Sequence, residues 1–359
     1  MKFGIVFGGQ SYEHEVSIIS AIAVKNALKG QSLEFIFCDR QRKFYRIEDK
    51  NMRAAYFKNG EYAKAKELSI GAGGFFESGM FSKSMLDLNV CVNLIHGCDG
   101  EDGKMAALFE FFGIPYIGPR IEASVLSYNK VLTKDLARAA GVKTLEYEVL
   151  KRGQTPRLAL PLIIKPARLG SSIGIGIVKS KAELDYALDR AFELDDTAIA
   201  EPYIENIREF NLAGCSLAQE LNLNGANSGS NLNVSGKFIY SNIEEPKKSG
   251  FLDFDRKYLD FARPQKIESA DIESELADKM KDAFTKIYEQ GFYGALIRCD
   301  FFEKEGEIYL NEINPNPGSL ANYLFDDFAA VLNALASSLP AMQHIPVSYE
   351  LITKITANK

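Results

Sequence analysis

Apolar and polar positions follow different periods along the chain, and the change of period divides it. Phe3 to Phe7 is a short apolar run closed by Gly8-Gly9, which reads as a buried strand entering a tight turn. Ser17 to Leu28 carries apolar residues at helical spacing and stops at Gly30, and Leu33 to Cys38 is a second apolar run. Strand, helix and strand in this order predict a parallel α/β sheet. Val90 to Ile95 adds a strand that closes on His96-Gly97, and Lys104 to Phe112 a helix leading into Ile114-Pro115-Tyr116-Ile117-Gly118. Pro119 ends this unit, so the first domain is expected at 1–120.

A helical pattern runs from Ser127 to about Ala140, where Gly141 suits a C-terminal stop. The texture then changes. Leu162 to Lys165, Ile173 to Val178, Ala198 to Ala200 and Phe210 to Cys215 are short β-type runs between Gly, Pro and Asn turns. They predict antiparallel sheet with few helices, in a central unit of 121–212. The stretch 220–235, rich in Asn, Gly and Ser, reads as an exposed loop or a loose hairpin. A long helix is expected from Ala270 to Glu289, then strands Gly294 to Phe302 and Ile308 to Ile313 around a charged turn, Glu303 to Glu307. These make a third unit, 213–359. The fold class is therefore α/β followed by α+β.

Composition narrows the function. At 359 residues, 46% hydrophobic and 25% charged, the chain is globular and large enough for two or three domains. A net charge of −6 without a basic face argues against nucleic acid. The five cysteines are scattered with no C-x-x-C pair, and there are three histidines, so zinc and disulfide frameworks are poorly supported. Reduced cysteines predict the cytoplasm. No apolar run is long enough to span a bilayer.

The chemistry concentrates near the end of the chain. Residues two apart on a strand share a face, so Arg298 pairs with Asp300 and Glu312 with Asn314. If the two strands form a hairpin, Asp300, Glu312 and Asn314 converge as three hard oxygen donors suited to magnesium. Arg298 beside them can hold a phosphoryl group or an oxyanion, and Gly318, after Pro315 and Pro317, can present a backbone N–H. An exposed hairpin with solvated charges is the alternative for the same residues. Lys165-Pro-Ala-Arg168-Leu-Gly170-Ser171-Ser172-Ile-Gly174 places a lysine before a Gly/Ser loop. Its amides and hydroxyls can cradle phosphate, or the loop is an ordinary hairpin turn. It is neither a Walker A loop nor a dinucleotide fingerprint, because a strand and not a helix follows it. Glu201, Tyr203, Ile204 and Glu209 lie on a linker between sheets that can hold adenine and ribose, or that is a plain strand edge.

Together these segments resemble the ATP-grasp superfamily and, within it, the D-alanine–D-alanine ligases. The resemblance covers nearly the whole chain in four ordered motifs. Gly8-Gly9-Gln10-Ser11-Tyr12-Glu13-His14-Glu15-Val16-Ser17 is similar to G-G-x-S-x-E-x-E-V-S, and His96-Gly-Cys-Asp-Gly-Glu101-Asp102-Gly103 to H-G-x-x-G-E-D-G. Lys165 to Gly174 is similar to K-P-x-x-x-G-S-S-x-G, and Asn311 to Gly318 to N-E-x-N-x-x-P-G. Departures are Leu169 where the family has an acid, one extra residue between Glu201 and Glu209, and Tyr323 where the family has a serine.

The resemblance implies ATP-dependent joining of two D-alanines through an acyl phosphate, for peptidoglycan, with D-serine as an alternative second substrate. It implies ATP, two magnesium or manganese ions and a homodimer. Glu13 would hold the first ammonium, with Ser171 and Tyr258 closing a loop over it, or it would cap the following helix. Lys257, beside Tyr258, would reach the nucleotide. Lys130, Lys165 and Ser172 would contact phosphates, although Lys130 also reads as an exposed helix lysine. Glu201, Tyr203, Ile204 and Glu209 would line the adenosine pocket, and Asp300, Glu312 and Asn314 would bind metal. Arg298 and Gly318 would stabilise the intermediate. Tyr323 and Leu324 would adjoin the second substrate. His96 falls on the substrate side, or serves as a hydrogen-bonding loop residue.

Overall fold

A computed structural model describes residues 1–79, 82–218, 232–246, 267, 269–341 and 345–357. The N-terminal apolar run forms strand Lys2–Gly8 inside an eight-stranded sheet. Phe3, Ile5, Val6 and Phe7 are all buried, as expected for a parallel strand covered on both faces. Strand Ser32–Cys38 pairs with it in parallel on one side and Val90–Asn93 on the other, with Tyr116–Ile117 parallel at the edge. Helix His14–Ala27 crosses between the first two strands, burying Val16, Ile18, Ala21 and Val24.

The parallel expectation holds for only this part of the sheet. Beyond Ser32–Cys38 the strands Phe44–Ile47, Lys66–Gly71, Gly74–Ser78 and Lys83–Met85 continue it antiparallel. Short turns make three of these reversals, and the segment between Ile47 and Lys66, with helix Ala54–Lys58, makes the other. At the first turn the Asp39 carboxylate accepts from the N–H groups of Gln41 and Lys43, at 2.8 and 2.9 Å, and reverses the chain within five residues, Asp39 to Lys43.

The helical pattern expected from Ser127 is two helices, Ile121–Tyr128 and Lys130–Ala139. Asn129 breaks them. Its backbone is extended, and its side chain accepts from Val131 N as the cap of the second helix. That cap sets where Lys130 and Lys134 point.

The central sheet is antiparallel, in the order Gly176–Val178, Leu162–Pro166, Thr197–Pro202, Glu148–Lys151. Helix Leu184–Leu194, absent from the sequence reading, covers it with Ala187, Ala191 and Phe192. The third sheet orders Asn233–Ser235, Phe238–Tyr240, Arg208–Ser216, Ile297–Lys304 and Glu307–Asn314, again antiparallel. Helices Ser274–Tyr288 and Phe328–Ala336 lie among its buried neighbours.

One apolar cluster runs from Phe3, Phe7 and Phe37 to Phe284, Phe301 and Leu332. The first and third sheets therefore share a continuous core, with each fully buried large side chain contributing roughly 1.5–3 kcal/mol. This shared core fixes the N-terminal motifs against the C-terminal ones. No helix among the described residues is long and apolar enough to cross a membrane.

Candidate active site

Glu13 stands at the start of helix His14–Ala27, but its side chain makes no capping hydrogen bond. Its carboxylate turns toward the Gly/Ser loop, where Ser171 Oγ donates to Glu13 Oε1. The other oxygen, Oε2, is buried without a hydrogen-bond partner among the described residues. Two glycines make room for the carboxylate. A Cβ on Gly97 would sit 2.6 Å from Oε2, and one on Gly170 would sit 2.9 Å from Oε1. Burial, reinforced by Glu101 and opposed by Ser171, pushes the Glu13 carboxyl up to about 7.

His96 is 4% exposed and faces Ser20 and Glu101, with Nε2 2.9 Å from Ser20 Oγ and Nδ1 3.3 Å from Glu101 Oε1. Burial lowers His96 to about 4, so its ring is neutral at pH 7. Burial likewise raises Glu101 to about 8. Ser20 Oγ also accepts from Ser319 N at 3.0 Å. Asn316 Nδ2 donates to Ile95 O at 3.2 Å. These bonds join the His96 loop to the turn that begins at Gly318. There Pro317 is extended, and Ser319, Leu320 and Ala321 all have φ near +50°. Three consecutive left-handed residues without glycine are strained, and such strain gathers at functional sites. Leu324 at the end of this turn packs into the core.

The last hairpin is not a solvated one. Asp300 lies opposite Glu312, and Arg298 opposite Asn314. Arg298 grips Asp300 with both arms, Nε–Oδ1 at 2.6 Å and Nη2–Oδ2 at 2.8 Å, and its third nitrogen donates to the Tyr323 hydroxyl at 3.3 Å. Asn314 Nδ2 donates to Asp300 Oδ2 at 3.0 Å. Burial would lower Arg298, yet Asp300 and Tyr323 hold it well above its ordinary value. Burial pushes Tyr323 up to about 12. Asp300, Glu312 and Asn314 offer oxygen donors from two adjacent strands, a set that fits a hard divalent cation.

Lys130 is not an exposed helix lysine. Its backbone N–H donates to Ala167 O, its Nζ donates to Leu169 O at 2.6 Å, and Nζ is 3.9 Å from Glu312. The Gly/Ser loop that it holds has Ser171 and Ser172 at φ +56° and +59°. Lys165 leaves strand Leu162–Pro166 toward Glu201 Oε2, at 2.7 Å, and Asn311 Oδ1, at 3.2 Å. Glu201, expected to line the adenosine pocket, meets lysines with both oxygens. Lys134 Nζ takes Oε1 at 2.5 Å. Burial alone would raise Glu201; Lys165 and Lys134 overcome it and hold the carboxyl at about 2. Tyr203 and Ile204 lie half-buried on the linker from the central sheet to the third, where Glu209 is the second residue of strand Arg208–Ser216.

Thus Glu13 and Ser171 come together, as do Lys130, Lys165, Glu201 and Glu312, and as do Arg298, Asp300, Asn314 and Tyr323. Lys257 and Tyr258 lie outside the described residues. Sequence reasoning gave no role to Lys134, Asn316 or Ser20. Lys134 had a legible cue, since it lies one helical turn beyond Lys130. A separate cluster of Cys98, Asp99 and Asp102 is met by Arg42 and Lys104.

The chain is similar in sequence and fold to known proteins. The family model of the D-ala D-ala ligase N-terminus matches residues 2–119, and that of the C-terminus residues 136–331. A D-alanine–D-alanine ligase of Campylobacter concisus is 53% identical over 359 residues, covering 100% of this chain and 99% of that one. The crystal structure of D-alanine–D-alanine ligase from Helicobacter pylori superposes with a TM-score of 0.81 at 43% identity, covering 96% of this chain and all of that one. The VanG D-Ala:D-Ser ligase from Enterococcus faecalis follows at 0.71 and 26%, covering 94% and 98%. With two family models spanning most of its length and a full-length relative above half identity, the chain belongs to the D-alanine–D-alanine ligase family.

Proposed function

We propose that this ligase joins two D-alanines, for peptidoglycan, in the cleft where its three sheets meet, with ATP as the energy source. The Ser171–Glu13 hydrogen bond carries the residue assignment, because it links the Gly/Ser loop to the N-terminal acid. A carboxylate is a poor electrophile. ATP therefore phosphorylates the carboxylate of the first D-alanine, the amine of the second attacks the acyl phosphate, and phosphate leaves from the tetrahedral intermediate.

Glu13, in its ionised form, holds the first ammonium, with His96 on the same side of the site. Lys130, Lys165 and Ser172 meet the nucleotide phosphates. Tyr203, Ile204 and Glu209 line the adenosine, and Glu201 borders it while gripping Lys165. Arg298 and the Gly318 N–H face the oxyanion, and Tyr323 and Leu324 bound the second D-alanine. Lys257, for the nucleotide, and Tyr258, for the loop over the first substrate, complete the proposed set and lie outside the described residues. Asp300, Glu312 and Asn314 would hold two magnesium or manganese ions, which when bound supply charge neutralisation at the phosphates. A homodimer of three-domain chains (1–120, 121–212 and 213–359) in the cytoplasm completes the proposal, the location supported by five free thiols.

The test is phosphate release from ATP and magnesium with D-alanine, beside D-serine, L-alanine and D-lactate. D-Alanine is expected to stimulate release most. Binding of ATP without any stimulation by D-alanine overturns the reading.

A further inference from the structure

Helix Lys130–Ala139 presents Lys130 and Lys134 one turn apart on the same face. Lys130 reaches the Gly/Ser loop, while Lys134 turns inward and is 2% exposed. Its Nζ lies 2.5 Å from Glu201 Oε1 and 5.4 Å from the ring centre of Tyr147. Glu201 is as deeply buried, and its other oxygen is 2.7 Å from Lys165 Nζ. Lys165 and Glu201 stand diagonally across paired strands, with Ile163 opposite Glu201 and Lys165 opposite Ile199.

Two ammonium groups and one carboxylate leave this buried set with one net positive charge. A Lys165–Glu201 pair alone would be neutral. Glu201 Oε1 meets Lys134 as an ion pair and has no hydrogen-bond donor among the described residues, so losing Lys134 leaves that oxygen bare and draws Lys165 further onto the carboxylate. Buried ion pairs that lose one member are costly for this reason.

We propose that Lys134 is a positioning residue of the ATP site: it occupies one oxygen of Glu201, so that Lys165 keeps a net positive charge for the nucleotide phosphates. The proposal rests on the reading of Lys165 as a phosphate contact. It gives Glu201 a second task, as the bridge through which a lysine off the reaction path acts on one that is on it.

Three single variants separate charge from packing. Lys134→Met removes the charge and leaves an apolar side chain, Lys134→Gln removes the charge but keeps a polar one, and Lys134→Arg keeps the charge. Dissociation constants for ATP with magnesium and for D-alanine are measured with melting temperatures. In Lys134→Gln, ATP is expected to bind about tenfold or more weakly, as when one charge of a buried pair is lost, with D-alanine binding unchanged. Lys134→Arg is expected to restore ATP binding, and Lys134→Met to lose it at least as far as the glutamine variant. A folded Lys134→Gln protein with unchanged ATP affinity overturns the inference, and so do neutral variants that both fail to fold, which would make Lys134 a stability element. Wild-type protein that binds no ATP would instead sink the ligase reading itself.

Discussion

Ser171 gives its hydroxyl hydrogen to Glu13 across 158 positions of sequence, and so couples the Gly/Ser loop to the N-terminal acid. This bond favours the ionised form of Glu13 against the burial that raises it. Removing it in Ser171→Ala is expected to push the carboxyl higher and weaken its hold on an ammonium group. The KM for D-alanine should rise about tenfold, the scale of one hydrogen bond to a charged group. The acid limb of kcat/KM should move to higher pH. A KM change with an unmoved acid limb would mean that Ser171 acts through packing alone.

The ligand-free protein carries its own pH signature. Glu13 at about 7 and Glu101 at about 8 hold protons more tightly when folded than the ordinary 4.5. Their stabilising contribution is complete below that ordinary value and is lost as pH rises through the two folded values. His96 works the other way: lowered from 6.5 to about 4, it contributes above 6.5 and loses that contribution as pH falls. Of these three groups the two carboxyls change most from pH 6.5 to about 8, so the melting temperature should fall across that window. Glu101→Gln should flatten the upper part of the decline. A melting temperature that climbs through the same window contradicts these assignments.

Gly97 tests the space around the acid. Its φ is +68°, and a Cβ there would lie 2.5 Å from Ser11 Oγ and 2.6 Å from Glu13 Oε2. Gly97→Ala is expected to cost about 1–2 kcal/mol for the left-handed backbone and to displace the Glu13 carboxylate. D-Alanine binding should weaken while ATP binding holds. Equal loss of both ligands would point to a general collapse of the cleft.

What the sequence disclosed depended on whether a local pattern carried it. Strand Lys2–Gly8 and helix His14–Ala27 were visible because burial imposes a period, while helix Leu184–Leu194 escaped. Arg298 with Asp300, and Glu312 with Asn314, were visible because alternation along a strand is strict. The strands between Phe44 and Met85 escaped, since they are short and several of their residues are exposed, which breaks the apolar period. The Glu201–Lys134 pair escaped too, because Lys134 lies 67 positions earlier and only the packed helix brings it within 2.5 Å. Left-handed φ at Ser319, Leu320 and Ala321 also had no local cue, because without glycine the conformation is imposed from outside. Among its fixing contacts is the Ser20 hydroxyl on Ser319 N.

Arg298 gives the sharpest test of the oxyanion assignment. Its guanidinium spends two arms on Asp300, at 2.6 and 2.8 Å, and the remaining nitrogen donates to the Tyr323 hydroxyl at 3.3 Å. Lysine at this position keeps the charge but not the planar fork, so it cannot hold Asp300 and also aim a donor past Tyr323. Arg298→Lys is therefore expected to lower kcat about 10²–10³-fold, the scale of a lost oxyanion donor, with the melting temperature little changed. Tyr323→Phe removes one acceptor from the same group and leaves the fork intact. Its loss should stay well below that of Arg298→Lys in phosphate release at saturating ATP and D-alanine. If the phenylalanine variant is as slow as the lysine variant, the hydroxyl of Tyr323, and not the fork of Arg298, carries the stabilisation.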